Sequence, residues 1–510
     1  MSNYLVVNLG LKSIRVIVFD ENGKQIYVDA RPVFSKLRGE KVEQDGNEWK
    51  MLLHELMHEL NSRTTLATTI SHITATTSSS CILGVDEQGS PVSPVMMVSD
   101  KRSKTEVEDI LDSIEFKDGA VKYQYKCSTS STIPKVLWYK RNEREVYNKV
   151  FKWIGAGEFI HHFFTGEYVT DALNAGKAFY NGHEYDPDLF ARYELKGEAF
   201  PSVVDIGTEI ELDNQVTSEY NLPRDCKLVV TTYDAICAVI GAYDGSNNTA
   251  CDVSGTVTSV RVLTPKTVKN HISPILLSQE LGLENLRLIG ASNNLGGGII
   301  EWCKQALFDE NNKYVYYDME NSASNSTVGA SGIVFLPYLL GERAPFKSDN
   351  AKGSFFGISR HSSKDDLTRA VFESTAFVTN DLMNLIVDAG IELGSLSVSG
   401  GLARFDLINQ IKADVTNKDV KVLENFESTS VGAFVLLGLS IGKYETLLEA
   451  CQSIVKIRKI ISPSQSSHEV YESFFNLYKS INEALADSYI AHADALKSIE
   501  SLSSITIKNL

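Results

Sequence analysis

Three glycine-centred turns in this chain follow apolar runs: Gly10 after residues 4–7, Gly255 after residues 250–253, and Gly400-Gly401 after residues 396–399. A strand that ends on glycine presents several backbone N–H groups together. Such a row can hold phosphate oxygens, and the missing Cβ lets the ligand come close. None of the three has the GxxxxGK[ST] spacing, so a P-loop is not supported. A fourth small-residue site, Gly296-Gly297-Gly298, suits either close packing against a flat ring or a tight loop. Asp234 follows the apolar run 228–230 and opens the small-residue helix expected over 234–243. A carboxylate at the mouth of a βα unit can take a proton from a substrate hydroxyl, and the same position also suits a plain helix cap. Ser78, Ser79 and Ser80, with Asp100 and Arg102, form a polar set that suits a polyol pocket or a solvated loop. His161 and His162 are adjacent on a helix and face different ways, which suits a structural pair, and with no HxxxH or HExxH spacing read in the chain no zinc site is expected.

The elements that must position these residues alternate in type. Residues 4–7, 14–19 and 24–28 read as a β-meander broken at Gly10 and at the 20–23 turn. Residues 250–253 and 257–263 repeat the strand–glycine–strand design about 245 residues later, which points to two related domains or to coincidence. Helices are expected over 134–141, 158–165 and 363–390. In the last of these, Leu367, Val371, Val378, Leu382 and Leu385 share one side and Ser363 with Asp366 forms a capping box. A helix over 406–416 carries the stripe Leu407, Ile408, Ile411 and Val415. Residues 462–467 read as a polar linker before a final helix marked by Val470, Phe474, Leu477 and Ile481. Mixed strands and helices in both halves predict α/β layers.

Composition limits the classes of function. At about 150 residues per domain, 510 residues predict two or three domains. Asp plus Glu number 65 against 49 Lys plus Arg, a formal charge of −16 with no basic block. This disfavours general binding to nucleic acid or anionic membranes. The chain has no apolar run of about 18 residues, and its opening lacks a basic leader, so neither a membrane span nor a signal peptide is expected. Seven cysteines without a CxxC pair read as reduced cytoplasmic thiols.

The sequence resembles the FGGY carbohydrate kinases over nearly its whole length. The most specific match is Gly353-Ser354-Phe355-Phe356-Gly357-Ile358, then Asp366-Leu367 and Ala370-Val371-Phe372-Glu373. Residues 130–142, with Lys135 and Trp138, resemble the family's other signature except at Tyr139. Val42-Glu43-Gln44-Asp45, Gly341-Glu342-Arg343-Ala344-Pro345 and Thr165-Gly166-Glu167 with Thr170-Asp171 and Asn174-Ala175 resemble shorter family motifs.

The resemblance implies two actin-like, ribonuclease-H-like α/β domains flanking a deep cleft. Residues 1–245 would bind the sugar, and 246–510 would bind the nucleotide. It implies ATP and Mg²⁺ as cofactors and a small sugar, sugar acid or polyol as substrate. Asp234 falls on the family's catalytic base, and Ser79, Ser80 and Asp100 fall on positions that face the substrate. Gly10, Lys12, Ser13 and Arg15 would line the first phosphate turn, and Gly255 and Thr256 the second. Gly297, Gly400 and Gly401 fall on segments that hold the adenosine. Two departures stand out: Asn8 replaces an aspartate near the metal shell, and Leu11 replaces a hydroxyl residue. They leave open a degenerate member that only binds sugar or nucleotide. A homodimer fits the family's habits, although no interface is legible in this chain.

Overall fold

The computed structural model describes residues 2–113, 126–246, 248–265 and 273–508. The chain forms two compact units: residues 1–241 with 428–454, and residues 242–427 with 455–510. A single cut at 245 is therefore too simple. The segment 428–454 returns to the first unit, because its helix Ser428–Ser440 packs on the helix Asp234–Ile240.

The first unit is built on a six-stranded sheet of β1 (Asn3–Leu9), β2 (Ser13–Phe19), β3 (Gln25–Pro32), β4 (Ile70–Thr77), β5 (Glu209–Glu211) and β6 (Lys227–Val229). Its order is β5-β6-β4-β1-β2-β3. The first three strands form the predicted antiparallel meander. β1 then pairs in parallel with β4, and β4 with β6. Every residue of β1 is buried, as befits a central strand covered on both faces. The helix Gly46–Arg63 supplies Trp49, Leu53, Leu56, Met57 and Leu60 to the core against Leu5, Val7, Ile14 and Val16. Its N-cap is Asp45, whose side chain accepts the Asn47 N–H at 2.9 Å.

The second unit repeats this plan in a seven-stranded sheet. Its strands are β7 (Thr249–Ser254), β8 (Thr258–Thr264), β9 (Leu277–Glu280), β10 (Arg287–Ser292), β11 (Ser395–Gly400), β12 (Asp419–Leu423) and β13 (Ile457–Ile461), in the order β9-β10-β8-β7-β11-β12-β13. β7, β8 and β10 form the antiparallel meander, and β7, β11 and β12 run parallel. The repeated strand–glycine–strand passage is thus the start of two sheets of one design, not coincidence.

Local readings fare unevenly. The helix Lys364–Asp388 has Ser363 as N-cap with the expected capping box. It is buried around most of its circumference, not along one stripe, because it lies at the centre of the second unit's packing. The supposed linker contains the start of the helix Gln465–Ala484, capped by Ser464. That helix buries Tyr471, Phe475, Tyr478 and Ile481, while Val470 and Leu477 are exposed. The tyrosines turn inward because their hydroxyls find buried partners: Tyr471 donates to Glu373 at 2.8 Å, and Tyr478 pairs with Tyr338 at 2.6 Å. A further helix, Ala486–Lys508, follows it. All seven cysteines are buried thiols, and no helix among the described residues is long and apolar enough to cross a membrane.

Candidate active site

The first glycine turn is the hairpin between β1 and β2. The Gly10 N–H donates to the Ser13 carbonyl at 3.0 Å, and the Ser78 N–H to the Leu9 carbonyl at 2.9 Å. A Cβ at Gly10 would meet nothing closer than 3.8 Å, so the turn is open on that side. Leu11 and Lys12 are exposed, and the Arg15 Nε donates to the Ser13 Oγ at 3.1 Å. Asn8 sits across β1 from Arg15 on one side and Thr76 on the other, and is 7% exposed. Its Nδ2 donates to the buried Ser430 Oγ at 3.1 Å. An aspartate here would need the reverse polarity. One hairpin thus gathers Asn8, Gly10, Lys12, Ser13 and Arg15.

Asp234 is the first residue of the helix Asp234–Ile240, with Tyr233 as the cap residue, and it is partly exposed. The connection from β6 is pinned on both sides. The Thr231 Oγ1 donates to the Ala75 carbonyl at 2.7 Å, and the Thr232 Oγ1 to Asp171 Oδ1 at 3.0 Å. Beyond Asp234 the helix meets Ser428–Ser440 backbone to backbone. A Cβ at Gly241 would lie 1.9 Å from the Ser428 carbonyl oxygen, and one at Gly432 would lie 1.8 Å from that of Cys237. Only glycine permits this approach, which fixes the carboxylate's helix against the segment that holds Asn8.

The serines connect to the same loop. The Ser79 Oγ donates to Asn174 Oδ1 at 3.0 Å, the Asn174 Nδ2 donates to Asp171 Oδ2 at 2.7 Å, and Asp171 in turn holds Thr232. Asp171 is 1% exposed, and burial pushes its carboxyl up to about 6 although four donors reach it, two of them the Leu173 and Asn174 N–H groups. Ser80 has φ +66°, an unusual value for serine. Its carbonyl accepts from Lys135 Nζ at 2.5 Å, and the same ammonium donates to the Met97 carbonyl at 2.8 Å. Burial pulls Lys135 down to about 8. Ser80 also borders a small cavity of about 40 Å³ with Glu158, Asn174, Lys177 and Tyr185.

Asp100 sits in a different environment. It is 1% exposed, and its oxygens accept from the Val42 N–H at 2.7 Å and from Arg102 at 2.6–3.1 Å. Arg102 also pairs with Glu43 at 2.6 Å and lies over the Trp138 ring at 4.9 Å. The two motifs that carry Glu43 and Trp138 thus meet in an ion-pair cluster.

In the second unit the remaining glycines converge. The Gly296 and Gly297 N–H groups donate to the Thr256 and Gly255 carbonyls, each at 2.8 Å. This fastens the β7–β8 turn to the start of the helix Gly297–Leu307. Gly400 has φ +83°, and a Cβ there would lie 2.5 Å from the Ser254 carbonyl oxygen. A cavity of about 450 Å³ opens beside them, lined by Gly297, Glu301, Tyr316, Tyr317, Gly401 and Arg404 among others. Beneath the turn, Asp252 is fully buried and pairs with Lys412 Nζ at 2.5 Å. Glu342 accepts the Asn294 and Arg343 N–H groups, each at 2.8 Å, and burial pushes it up to about 7.

Asp171, Asn174, Thr232 and Lys135 were given no role from sequence. The three-residue spacing of Asp171 and Asn174, an aspartate capping the turn after it, was the available signal.

Sequence models of the FGGY family of carbohydrate kinases match both parts of the chain, the N-terminal domain over residues 3–241 and the C-terminal domain over 252–441. A xylulose kinase of Staphylococcus epidermidis is 26% identical over 488 residues, 94% of this chain and 96% of the relative. The crystal structure of a ligand-bound xylulose kinase from Lactobacillus acidophilus superimposes with a TM-score of 0.86 at 23% identity, covering 96% of this chain and all of the other. A gluconate kinase from the same organism gives 0.85 at 23% identity, covering 96% and 99%. The shared fold is the two-domain actin-like one.

Proposed function

Since this chain belongs to the FGGY family of carbohydrate kinases, we propose that it transfers the γ-phosphoryl group of ATP to a primary hydroxyl of a small sugar, sugar acid or polyol. A xylulose-like ketose is favoured. The carrying observation is the contrast between two carboxylates. Asp171 is buried with four donors on it, whereas Asp234 is partly exposed at the end of a doubly pinned loop. Asp171 positions, and Asp234 receives the proton. The sugar oxygen forms a bond to the γ-phosphorus, the bond from that phosphorus to the ADP oxygen breaks, and the hydroxyl proton passes to Asp234. A placed base of this kind contributes about 10²–10⁴ in rate.

Ser79 and Ser80 contact the sugar. The Ser79 hydrogen is committed to Asn174, so its lone pairs accept from a sugar hydroxyl. Asp100 acts indirectly, holding Arg102 and the strand Lys41–Gln44 in place. Gly10, Lys12, Ser13 and Arg15 form the phosphate turn of the first unit, and Gly255 and Thr256 form that of the second. Gly297 and Gly401 border the nucleoside cavity, with Gly400 next in the chain, and its 450 Å³ suits a purine nucleoside. Bound Mg²⁺ would supply positive charge that offsets the phosphates. It needs few protein oxygens and keeps several waters, and Asn8, whose Nδ2 is turned to Ser430, has its amide oxygen to offer such a shell.

One observation favours a second reading. The Asn8 amide is already hydrogen-bonded to Ser430, and Leu11 is 44% exposed where the family has a hydroxyl, as in a member that binds sugar or nucleotide without turnover. ADP release from Mg·ATP across pentuloses, hexuloses, polyols and sugar acids separates the two. Sugar-dependent ADP establishes the kinase, and silence with nucleotide binding intact shifts the weight to the binder.

A further inference from the structure

His54 and His58 stand one turn apart on the helix Gly46–Arg63, so both imidazoles share a face. Glu219, the last residue of the helix Asn214–Glu219, lies opposite them. Its Oε1 is 3.5 Å from His54 Nδ1 and 3.3 Å from His58 Nε2, and ligand atoms of all three lie within 4.8 Å of one another. Two ligand atoms each about 2.0–2.1 Å from a tetrahedral zinc ion stand about 3.3–3.4 Å apart. The His58 distance of 3.3 Å has that length, and the His54 distance of 3.5 Å is slightly longer. The expectation of no zinc-type spacing was a misreading, because His54-Glu55-Leu56-Met57-His58 is an HExxH segment.

The rings are held without any ion. His54 packs edge-on against Phe163 at 4.9 Å, and His58 against Tyr220 at 5.2 Å. The Tyr220 hydroxyl hydrogen-bonds His54 Nδ1, the atom that faces Glu219, and has to release that nitrogen when an ion binds. Glu55 approaches Arg31 instead, at 3.9 Å, which argues against a metalloprotease-like base. The side chains of His54, His58 and Glu219 are 34%, 55% and 42% exposed, which leaves water free to complete the shell.

We propose that His54, His58 and Glu219 bind one zinc-class divalent cation that clamps the helix Asn214–Glu219 to the helix Gly46–Arg63. Two imidazoles and one carboxylate select Zn²⁺ over Mg²⁺ or Ca²⁺. The clamped helix leads through residues 220–226 into β6 and the Asp234 loop, so the ion would stiffen the segment that precedes the proposed base. The site itself does not depend on the kinase reading.

The test is calorimetric titration of the untagged, chelator-stripped full chain with ZnCl₂ at pH 7.5, with Co²⁺ absorption as a second readout. One ion per chain is expected, with four-coordinate Co²⁺ bands and no competition from Mg²⁺. His58→Ala and Glu219→Gln, both at exposed side chains, should each weaken binding about tenfold or more, whereas the exposed His492→Ala should not. No stoichiometric Zn²⁺ binding, or equal affinity in His58→Ala and Glu219→Gln, overturns the proposal.

Discussion

Replacing Asp171 by asparagine and by alanine separates hydrogen bonding from charge at the centre of the sugar-side network. Alanine strands the Thr232 hydroxyl and the Asn174 amide, at about 1–3 kcal/mol each, and removes the cap on the Leu173 and Asn174 N–H groups, worth about 1 more. Asparagine keeps its oxygen toward Thr232 and the two backbone donors, while its NH₂ group meets Asn174. A flip of the Asn174 amide resolves that contact, and the Ser79 hydroxyl then turns from donor to acceptor. Both variants lose the buried charge, so its desolvation cancels between them. Asp171→Ala should be less stable than Asp171→Asn by about 3 kcal/mol or more, a Tm difference of about 5 °C for a unit of this size. Because Ser79 reverses polarity, Asp171→Asn should raise the KM for sugar severalfold and leave that for ATP unchanged. Thermal unfolding at pH 8 with steady-state kinetics measures both. Equal stability of the two variants would show that these donors do not rely on the carboxylate, and the reasoning would fail.

Asn8→Asp, accepting from Ser430 instead of donating to it, should raise kcat by about tenfold or more by restoring charge beside the phosphates; a fall in kcat opposes this role. Gly401 has a helical φ of −61°, and a Cβ there would meet only the Ser254 carbonyl oxygen at 3.9 Å. Gly401→Leu should therefore fill the 450 Å³ cavity and raise the KM for ATP about tenfold without moving that for sugar, as competition kinetics will show. Burial raises Asp381 from 3.8 to about 7, so its charged form opposes folding above that pH, and the penalty disappears as pH falls through 7 toward 4. Asp381→Asn should add about 2–4 kcal/mol of stability at pH 8.5, roughly 1 kcal/mol at pH 5 and almost none near pH 3.5, measured by urea unfolding.

Much of this was legible in the sequence wherever local chemistry decides it. Gly10 and Gly255 between β-branched runs marked the two hairpins, and Ser363 with Asp366 marked the start of the longest helix. Asp234 was visible because a carboxylate opening a small-residue helix is a local pattern. What escaped depends on partners far apart in the chain. Asp252 and Lys412 pair across 160 residues, and Asn8 and Ser430 across 422. Asp100 gave no local sign that Val42 and Arg102 would occupy it. The inward stripe of Gln465–Ala484 was misplaced because hydropathy ranks Val470 and Leu477 above tyrosines whose hydroxyls have buried partners. The Asp171–Asn174–Ser79 relay needed the fold to bring a turn onto the end of β4.

The most direct test of the central claim is the turnover of Asp234→Asn on whichever sugar proves active with Mg·ATP. Asparagine keeps the shape and a hydrogen-bond acceptor but cannot take the proton. The account predicts that sugar and nucleotide still bind while kcat falls by about 10²–10⁴. Turnover within a few-fold of the native chain, with unchanged binding, would contradict it and remove Asp234 from the role of base.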